Sequence, residues 1–364
     1  MKSGEYEDFK YTSIKKYTDG VYYLNDNKLY INNINTKEIK EYKNPGLSEF
    51  LTLSELGKDR LLYYFINDYF RIYDLDNNKV KLFDYRINDD VDKVYLKDNL
   101  LFLISNSKVY VIKLDEIETK EMSYEELESE FESKLISKIE KLQTDYNVDF
   151  KISKDANLKF KIWKESTKGE TDYNSIMDSL DYTEEVFKMF GSEFFKEFIH
   201  DDYTGMRIYL VSEIKSEDFS KGGEAFRYYD KYAIIANSVD YKRTLCHEIM
   251  HSMEDAVSAK KKTMFKKWKD YNPKGYKYKV DYDQYASSYQ YSITYGKGDI
   301  YFIDNYAQTN ELEDRARIFE NICMNTPEDI KKYPFILKKA EYEEEEIKKF
   351  YPMLEDSIIF DSLK

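Results

Sequence analysis

The segment Asp240–Ser258 constrains the fold most, because it predicts a helix that is buried on several sides. It contains neither proline nor glycine, and Ser238 just before it is a candidate N-cap. Its apolar positions cover most of the helix and are Leu245, Cys246, Ile249, Met250, Met253, Ala256 and Val257. A polar stripe also follows it at steps of three and four residues, made of Thr244, His247, His251, Glu254 and Ser258. Buried polar groups need partners, so this stripe is predicted to face a ligand.

Two of the three histidines in this chain of 364 residues stand in that stripe, four positions apart. At this spacing His247 and His251 project from nearly the same face of a helix, so both imidazoles can reach one metal ion. Glu248 lies about 100° further round the helix, where it can contact a water on the metal. These residues form the HExxH pattern of zinc peptidases. The alternative is a pair of core histidines that are hydrogen-bonded to the backbone.

A catalytic zinc ion keeps three protein ligands, so HExxH needs one more. The position at which the extended metzincin pattern has a histidine is Val257 in this chain. His200 stands before the motif in the acidic segment 198–202, which is typical of a surface or helix-end residue. The third ligand is therefore predicted to be a carboxylate further along the chain, and Glu313 is the best candidate.

Glu313 stands near the start of another predicted helix. Asn310 is its candidate N-cap. Glu313 borders the apolar face, about 60° from Ala316, so it can point towards a neighbouring helix. Asn310 and Glu313 also match a capping box, in which the glutamate only completes the helix start. The spacing alone leaves both interpretations open. The predicted apolar face of this helix contains Leu312, Ala316, Phe319 and Cys323.

The two motifs together resemble a known family. The later motif reads Tyr306-x-x-Thr309-Asn310-Glu311-x-Glu313-x-x-Ala316-x-x-Phe319. Downstream of HExxH, it is similar to the catalytic domain of anthrax lethal factor and its relatives, which include the clostridial Pro-Pro endopeptidases. This resemblance implies a gluzincin-like site in which Glu313 is the third zinc ligand and Tyr306 donates a hydrogen bond to the oxyanion of the reaction.

The resemblance covers residues 123–340 and is strong at the two motifs. The chain departs from the family at Asp314, Arg315 and Arg317, where lethal factor-like sequences carry apolar and acidic residues. The separation of 62 positions (313 − 251) between His251 and Glu313 is also longer than the family leads us to expect. Other segments look like zinc-binding metallopeptidases of AT-rich Gram-positive bacteria; they are Trp268, Asn272–Tyr276 and Asp314–Ala316.

These residues predict a zinc-dependent endopeptidase that acts on a peptide or protein substrate. Zn²⁺ would activate a water and polarise the scissile carbonyl. Glu248 is predicted to be the general base and Tyr306 the oxyanion stabiliser, although a packing role for Tyr306 is open. Glu254 or Asp255 could orient an imidazole from one helical turn away. The alternative is a non-catalytic bacterial surface or binding protein that retains a peptidase fold.

Residues 1–122 carry an internal repeat of about 40 positions. Aspartates Asp19, Asp59 and Asp98 begin the three copies, which contain short aromatic strands separated by turn residues. This pattern resembles the blades of a β-propeller, although three blades are too few to close an ordinary one. A truncated propeller, an open array and a small sandwich all fit. Binding of a protein partner is the plausible role of these repeats.

Residues 123–364 are predicted to form a mainly helical zincin-type domain with a small edge sheet, so the whole chain is α+β. Helices are expected near 124–146, 173–189 and 342–350. An edge strand within Phe226–Ala236 could pair with a substrate backbone. The lysine- and tyrosine-rich stretch Lys260–Gly298 forms either a basic, aromatic wall of the cleft or a solvated loop.

Composition narrows the possible partners and location. A net charge of −14 argues against nucleic-acid binding. The sequence contains no run of 18 apolar residues, so no transmembrane segment is predicted. The start of the chain shows no signal peptide, since Met1–Tyr6 lacks an apolar region. Secretion or attachment to the surface of a Gram-positive bacterium is nevertheless expected, with a cytoplasmic location left open. Cys246 and Cys323 are expected to be buried free thiols, with a disulfide as the alternative.

Overall fold

The computed structural model describes residues 14–17, 20–25, 28–33, 35–43, 54–56, 61–66, 69–86, 93–97, 100–105, 108–116, 119–160, 165–215, 222–278, 299–324 and 330–364. Helices and strands both make up large parts of it, so the predicted α+β class is confirmed. The chain divides into two compact units, Met1–Lys134 with Asp172–Asn174 and Leu135–Thr171 with Ser175–Lys364. This division falls inside the first helix. The boundary that the sequence suggests after residue 122 stays a prediction.

Each of the three sequence repeats forms antiparallel strands in the first unit. The strands pair in the orders β1-β2-β3-β4, β5-β6-β7-β8-β12 and β9-β10-β11. The last strand of the third repeat therefore pairs with the second repeat's sheet, and the propeller-like interpretation stays a prediction. The strands are β1 (Ile14–Tyr17), β2 (Gly20–Asn25), β3 (Lys28–Asn33), β4 (Glu38–Lys43), β5 (Ser54–Leu56), β6 (Leu61–Ile66), β7 (Tyr69–Asp74), β8 (Lys79–Arg86), β9 (Lys93–Lys97), β10 (Leu100–Ser105), β11 (Lys108–Lys113) and β12 (Thr119–Ser123).

Equivalent turns join strands in the first two repeats. The Asn33 side chain accepts hydrogen bonds from the backbone N–H groups two and three residues later, and Asp74 does the same. The turns then pass through left-handed residues, Lys37 with φ 59° and Asn78 with φ 52°. Short side chains that bond their own backbone favour such turns, which explains why the repeat keeps Asn or Asp there.

The first helix, α1 (Tyr124–Tyr146), begins at the position that the sequence predicts. The Ser123 backbone N–H donates to the Glu126 carboxylate at 2.8 Å, and the Glu126 N–H donates to the Ser123 hydroxyl at 3.2 Å. This is a reciprocal capping box, which satisfies two backbone donors at a helix start.

The second unit contains one mixed sheet and a set of helices around it. The sheet runs in the order β14-β15-β18-β20-β19, and β13 pairs with β18. A separate hairpin is formed by β16 and β17. The strands are β13 (Val148–Lys151), β14 (Lys159–Phe160), β15 (Glu165–Gly169), β16 (Ile199–His200), β17 (Tyr203–Thr204), β18 (Met206–Lys215), β19 (Gly223–Tyr228) and β20 (Lys231–Asn237). The helices are α2 (Tyr173–Phe190), α3 (Ser192–Lys196), α4 (Tyr241–Ala259), α5 (Glu311–Cys323) and α6 (Pro334–Phe350).

The core of this unit lies between the sheet and the helices. Side chains alternate along β18, so Ile208 and Leu210 join the main core while Tyr209 and Val211 pack on the other face. Helix α4 packs on β20 and on α5, and α5 packs on α6. Complete burial of a large apolar side chain stabilises the fold by roughly 1.5–3 kcal/mol. This burial fixes α4 and α5 against each other, which matters for the site described below.

Two predictions about elements near the site need correction. The edge strand expected within Phe226–Ala236 is a hairpin, with β19 at the sheet edge and β20 inside the sheet. The chain reverses between them at Tyr229, which has φ 53°. Helix α6 begins at Pro334, earlier than the expected start near Tyr342, and the helix start expected at 326–329 lies outside the described residues. Over the ranges described above, no helix combines the length and apolarity that crossing a bilayer requires.

Candidate metal centre

Helix α4 carries the HExxH motif through the core of the second unit. Its start differs from the prediction, because the N-cap is Asp240 in a left-handed conformation with φ 53°. Ser238 does not cap the helix; its hydroxyl donates to the Glu170 carboxylate at 2.7 Å. The predicted apolar surface is confirmed, since the following side chains are all buried: Leu245, Cys246, Ile249, Met250, Met253, Ala256 and Val257.

The polar stripe of α4 meets the start of α5. His247 Nε2 lies 3.1 Å from His251 Nε2 and 3.0 Å from Glu313 Oε2. The Glu313 oxygen also lies 3.5 Å from His251 Nε2. Each of the three residues offers one ligand atom, and these atoms lie within 4.8 Å of one another. Two imidazoles and a carboxylate at this spacing can hold a metal ion.

The sequence leaves two roles open for Glu313 at the start of α5: it completes a capping box, or it binds the metal. The Asn310 side chain accepts from the backbone N–H groups of Leu312 and Glu313, at 2.8 and 3.0 Å, so the predicted N-cap is confirmed. The Glu313 carboxylate reaches the two histidines, as a ligand would. Ala316 lies on the buried face as predicted. Leu312 was wrongly assigned to that face, because its side chain is 47% exposed.

Glu320 holds the other nitrogen of His247. Its Oε2 lies 3.0 Å from His247 Nδ1, so the ring is gripped by Glu320 on one side and Glu313 on the other. Burial disfavours the charged imidazolium, yet the hydrogen bonds to these two carboxylates prevail and raise the pKa of His247 to about 10. A carboxylate on the second nitrogen of a histidine fixes its tautomer and orients it towards a metal.

Sequence reasoning missed Glu320. It stands seven residues after Glu313, which on a helix places it two turns further along the same face. Burial works against its charged form, but Arg317, His247 and Arg243 together lower the pKa of Glu320. Arg243 Nη1 lies 3.1 Å and Arg317 Nη1 2.5 Å from its Oε1. The carboxylate is thus kept ionised beside the histidine.

Glu248, the predicted general base, is buried and lines the same cleft. Burial raises its pKa above the usual range for a glutamate. Strand β19 passes directly over it. A Cβ placed on Gly223 would lie 2.8 Å from Glu248 Oε1 and 2.5 Å from Thr244 Cγ2. The absence of a side chain at position 223 therefore allows β19 to approach this part of α4.

Tyr306 belongs to the short helix Tyr306–Gln308 just before α5. Its ring centroid is 6.2 Å from that of His247, and its side chain lines the cleft. This places the tyrosine close to the metal-ligand set. Its predicted role as oxyanion donor stays a prediction.

The two acids that could orient an imidazole, Glu254 and Asp255, pair with arginines instead. Glu254 forms a two-pronged ion pair with Arg315, with both N–O distances at 2.7 Å. Asp255 lies 3.0 Å from Arg227 Nε. The carboxylate that contacts His247 Nδ1 is that of Glu320 on α5.

The remaining histidine and the cysteines lie outside the ligand set. His200 is in the β16–β17 hairpin, where its Nε2 lies 2.8 Å from the Tyr232 hydroxyl. Cys246 and Cys323 are buried free thiols, as expected from the sequence. Burial raises the pKa of the Cys323 thiol well above its usual range, and neither cysteine belongs to the group of His247, His251 and Glu313.

The residues that depart from the lethal factor pattern have structural partners. Asp314 Oδ2 lies 2.7 Å from Lys339 Nζ, with both side chains fully buried. Arg315 pairs with Glu254, and Arg317 pairs with Asp304 through Nε at 2.8 Å. These three ion pairs fix α5 to its neighbours. The residues that differ from the lethal factor pattern therefore anchor the helix that carries Glu313.

The cleft in front of the ligand set has a volume of about 980 Å³. Strand β19, helix α4, the segment 262–269 and the start of α5 form its walls. Part of the predicted lysine- and tyrosine-rich wall is therefore present, since Lys262, Lys266 and Lys269 line the cleft. The remainder of that stretch, 279–298, lies outside the described residues.

No family model, no curated protein and no solved structure matches this chain.

Proposed function

We propose that this protein is a zinc-dependent endopeptidase whose second unit has a zincin-type fold. One observation carries the proposal: His247, His251 and Glu313 bring three ligand atoms together, with Glu248 buried beside them in an open cleft. The resemblance of the two motifs to the lethal factor family supports the same assignment.

The donor set fits zinc. Two imidazole nitrogens and one carboxylate oxygen form the ligand set of many catalytic zinc sites, which leave a further position for water. Glu320 holds Nδ1 of His247, so that Nε2 faces Glu313 and His251. When bound, zinc would supply Lewis acidity, lowering the pKa of a water towards ~7 and polarising a carbonyl.

Two residues of the chain, Glu248 and Tyr306, then have separate roles in the reaction. Glu248 takes the proton of the attacking water and passes it to the leaving amine. Its buried position and raised pKa favour this exchange, because they bring the carboxyl closer to the pH at which it works. Tyr306, near His247, donates a hydrogen bond to the oxyanion that develops on the carbonyl.

The test compares the wild-type protein with Glu248→Gln on a peptide library, with cleavage read by mass spectrometry and zinc content measured in both. We expect Glu248→Gln to keep its zinc and to have a turnover rate roughly 10²–10⁴-fold lower than that of the wild type. Glu193→Gln removes an exposed carboxylate that pairs with Lys196 and serves as the matched control. Equal absence of cleavage in all three proteins, with no bound metal, would favour the alternative of a non-catalytic binding protein.

A further inference from the structure

We propose that the cleft takes peptide segments with acidic side chains, and that Lys262 and Lys266 recognise them. This inference rests on the proposed peptidase function and names its substrate class. It follows from the charged groups that line the cleft and from which of them already have partners.

The acids that line the cleft beyond the catalytic set are engaged. Asp240 pairs with Arg243, Glu254 with Arg315, and Asp304 with Arg317. Two further acids, Asp255 and Glu311, pair with Arg227 and Lys269 at 3.0 and 2.8 Å. Glu224 is also not free. These pairs offset five of the nine acids that line the cleft, and Glu320 shares Arg243 and Arg317 with two of them.

Two lining cations are left after this pairing. Lys262 and Lys266 are both exposed, and within the described ranges neither side chain has an ion pair or a hydrogen bond. Both belong to the segment 260–269, which holds six lysines and no acid in a chain of net charge −14. The segment 260–269 therefore offers a local positive surface on one wall of the cleft, which attracts anionic groups.

The segment that carries these lysines is firmly held. Met264 and Phe265 lie between them and are buried in the core. The Phe265 backbone N–H donates to the Glu346 carboxylate at 3.2 Å, and the Arg315 guanidinium lies 5.0 Å from the Phe265 ring centroid. The two ammonium groups are thus presented from a fixed backbone, which reduces the entropy lost when a ligand binds.

The ligand that suits this surface is a peptide with Asp or Glu side chains on one side of the scissile bond. Exposed ion pairs each contribute roughly 0.2–1 kcal/mol, so the expected result is a preference for acidic segments and no absolute requirement. Because the contacts are exposed, salt is expected to weaken the preference.

The test uses the whole chain described here as the zinc-loaded Glu248→Gln variant, which we expect to bind peptides without cleaving them. Three fluorescein-labelled peptides of equal length, one rich in Glu, one in Lys and one in Gln, are titrated and followed by anisotropy. We expect the Glu peptide to bind best, and Lys262→Glu with Lys266→Glu to weaken it by about tenfold. The matched control, Lys154→Glu with Lys159→Glu, reverses two exposed charges away from the cleft and should change binding by less than about twofold.

Equal binding of the three peptides, or binding of the Glu peptide that survives the Lys262 and Lys266 reversal, would overturn the inference. Cleavage profiling of the active protein separates this failure from that of the proposed function. Peptide cleavage without any acidic bias rejects the inference and leaves the peptidase assignment intact. Lysine-dependent binding of the Glu peptide with no cleavage of any peptide rejects the peptidase and supports an acidic-peptide binding cleft.

Discussion

Gly223 lies against Glu248 so closely that a Cβ at position 223 would come within 2.8 Å of the carboxylate Oε1. The strand that forms the cleft edge and the predicted general base are therefore packed without room for a methyl group. With Thr244 Cγ2 at 2.5 Å as well, contacts this short force β19, the Thr244 side chain or the Glu248 side chain to move. Movement of Glu248 would displace the predicted general base, and movement of β19 would displace the edge of the cleft. Either movement would alter the distance between the base and the substrate.

We expect Gly223→Ala to lower kcat by roughly 10²-fold, because displacement of a reacting group by about 1 Å is enough for such a loss. Zinc content should stay unchanged, since the three atoms nearest to an added Cβ belong to Thr244 and Glu248 and to none of the three ligands. Gly222→Ala is the matched control, because its Cβ would meet Thr244 Oγ1 at an ordinary 3.5 Å. Steady-state kinetics on a cleaved peptide measures both variants, and equal activity of the two would show that Glu248 tolerates the displacement.

Glu320→Gln should weaken zinc binding by about 10–100-fold, the usual effect of losing a carboxylate that orients a histidine ligand. The amide keeps the shape of the side chain but removes the charge that holds His247 Nδ1. Competition with a chromogenic chelator measures the affinity directly. Glu311→Gln, on the same helix but paired with the exposed Lys269, is the control and should bind zinc like the wild type. An unchanged affinity in Glu320→Gln would mean that Glu313 and the packing of α4 orient the ring by themselves.

The sequence is sufficient for the parts of this site that depend on local spacing. His247 and His251 share a helical face because they are four residues apart, and Asn310 caps α5 because its side chain reaches the next N–H groups. Glu313 needed the family resemblance as well, since a capping box explains the same spacing.

The parts that sequence reasoning missed depend on contacts between distant segments. Ser238 is a candidate N-cap in the sequence, but its hydroxyl donates a hydrogen bond to the carboxylate of Glu170, the residue that follows β15. Glu254 looked free to orient an imidazole, but Arg315 engages it from 61 positions away. The packing of α4 against α5 decides which carboxylate faces His247. The sequence therefore indicates a role for Glu320 only through its spacing of seven residues from Glu313.

A pH-dependent contribution to stability is expected from Glu184 on α2. Its hydrogen bonds with Lys138 and Lys141 lower the pKa of Glu184 to about 2, and its side chain is only 14% exposed. A carboxylate whose pKa is lower in the folded state stabilises the fold above the unfolded pKa and loses this contribution as the pH falls. The window runs from the ordinary value of 4.5 down to about 2.

Glu184→Gln should therefore lower the free energy of unfolding at pH 7 by about 2 kcal/mol. The difference from the wild type should shrink progressively below pH 4.5. Urea unfolding followed by circular dichroism at several pH values measures it. Glu185→Gln is the control: Glu185 is the next residue, 57% exposed and paired with Lys242, so its loss should cost at most about 1 kcal/mol. A Glu184→Gln difference that does not vary with pH would contradict the ionic origin of the effect.

Asp314 and Lys339 form the most deeply buried ion pair described here, and they hold α5 to α6 next to the ligand Glu313. Lys339 Nζ lies 2.7 Å from Asp314 Oδ2, which also accepts from Trp268 Nε1 and the Tyr278 hydroxyl at 2.9 and 2.7 Å. Lys339→Met should lower the free energy of unfolding by about 3–5 kcal/mol, because it leaves a buried carboxylate without its cation.

The double variant Lys339→Met with Asp314→Leu separates charge from packing. If the unpaired charge causes the loss, the double variant is more stable than Lys339→Met alone, because no isolated buried charge remains. Lys338→Met changes the exposed neighbouring lysine and should leave stability within about 0.5 kcal/mol. Urea unfolding of the four proteins at neutral pH gives the comparison. A double variant that is less stable than Lys339→Met would show instead that the Asp314 hydrogen bonds to Trp268 and Tyr278 contribute more than the ion pair does.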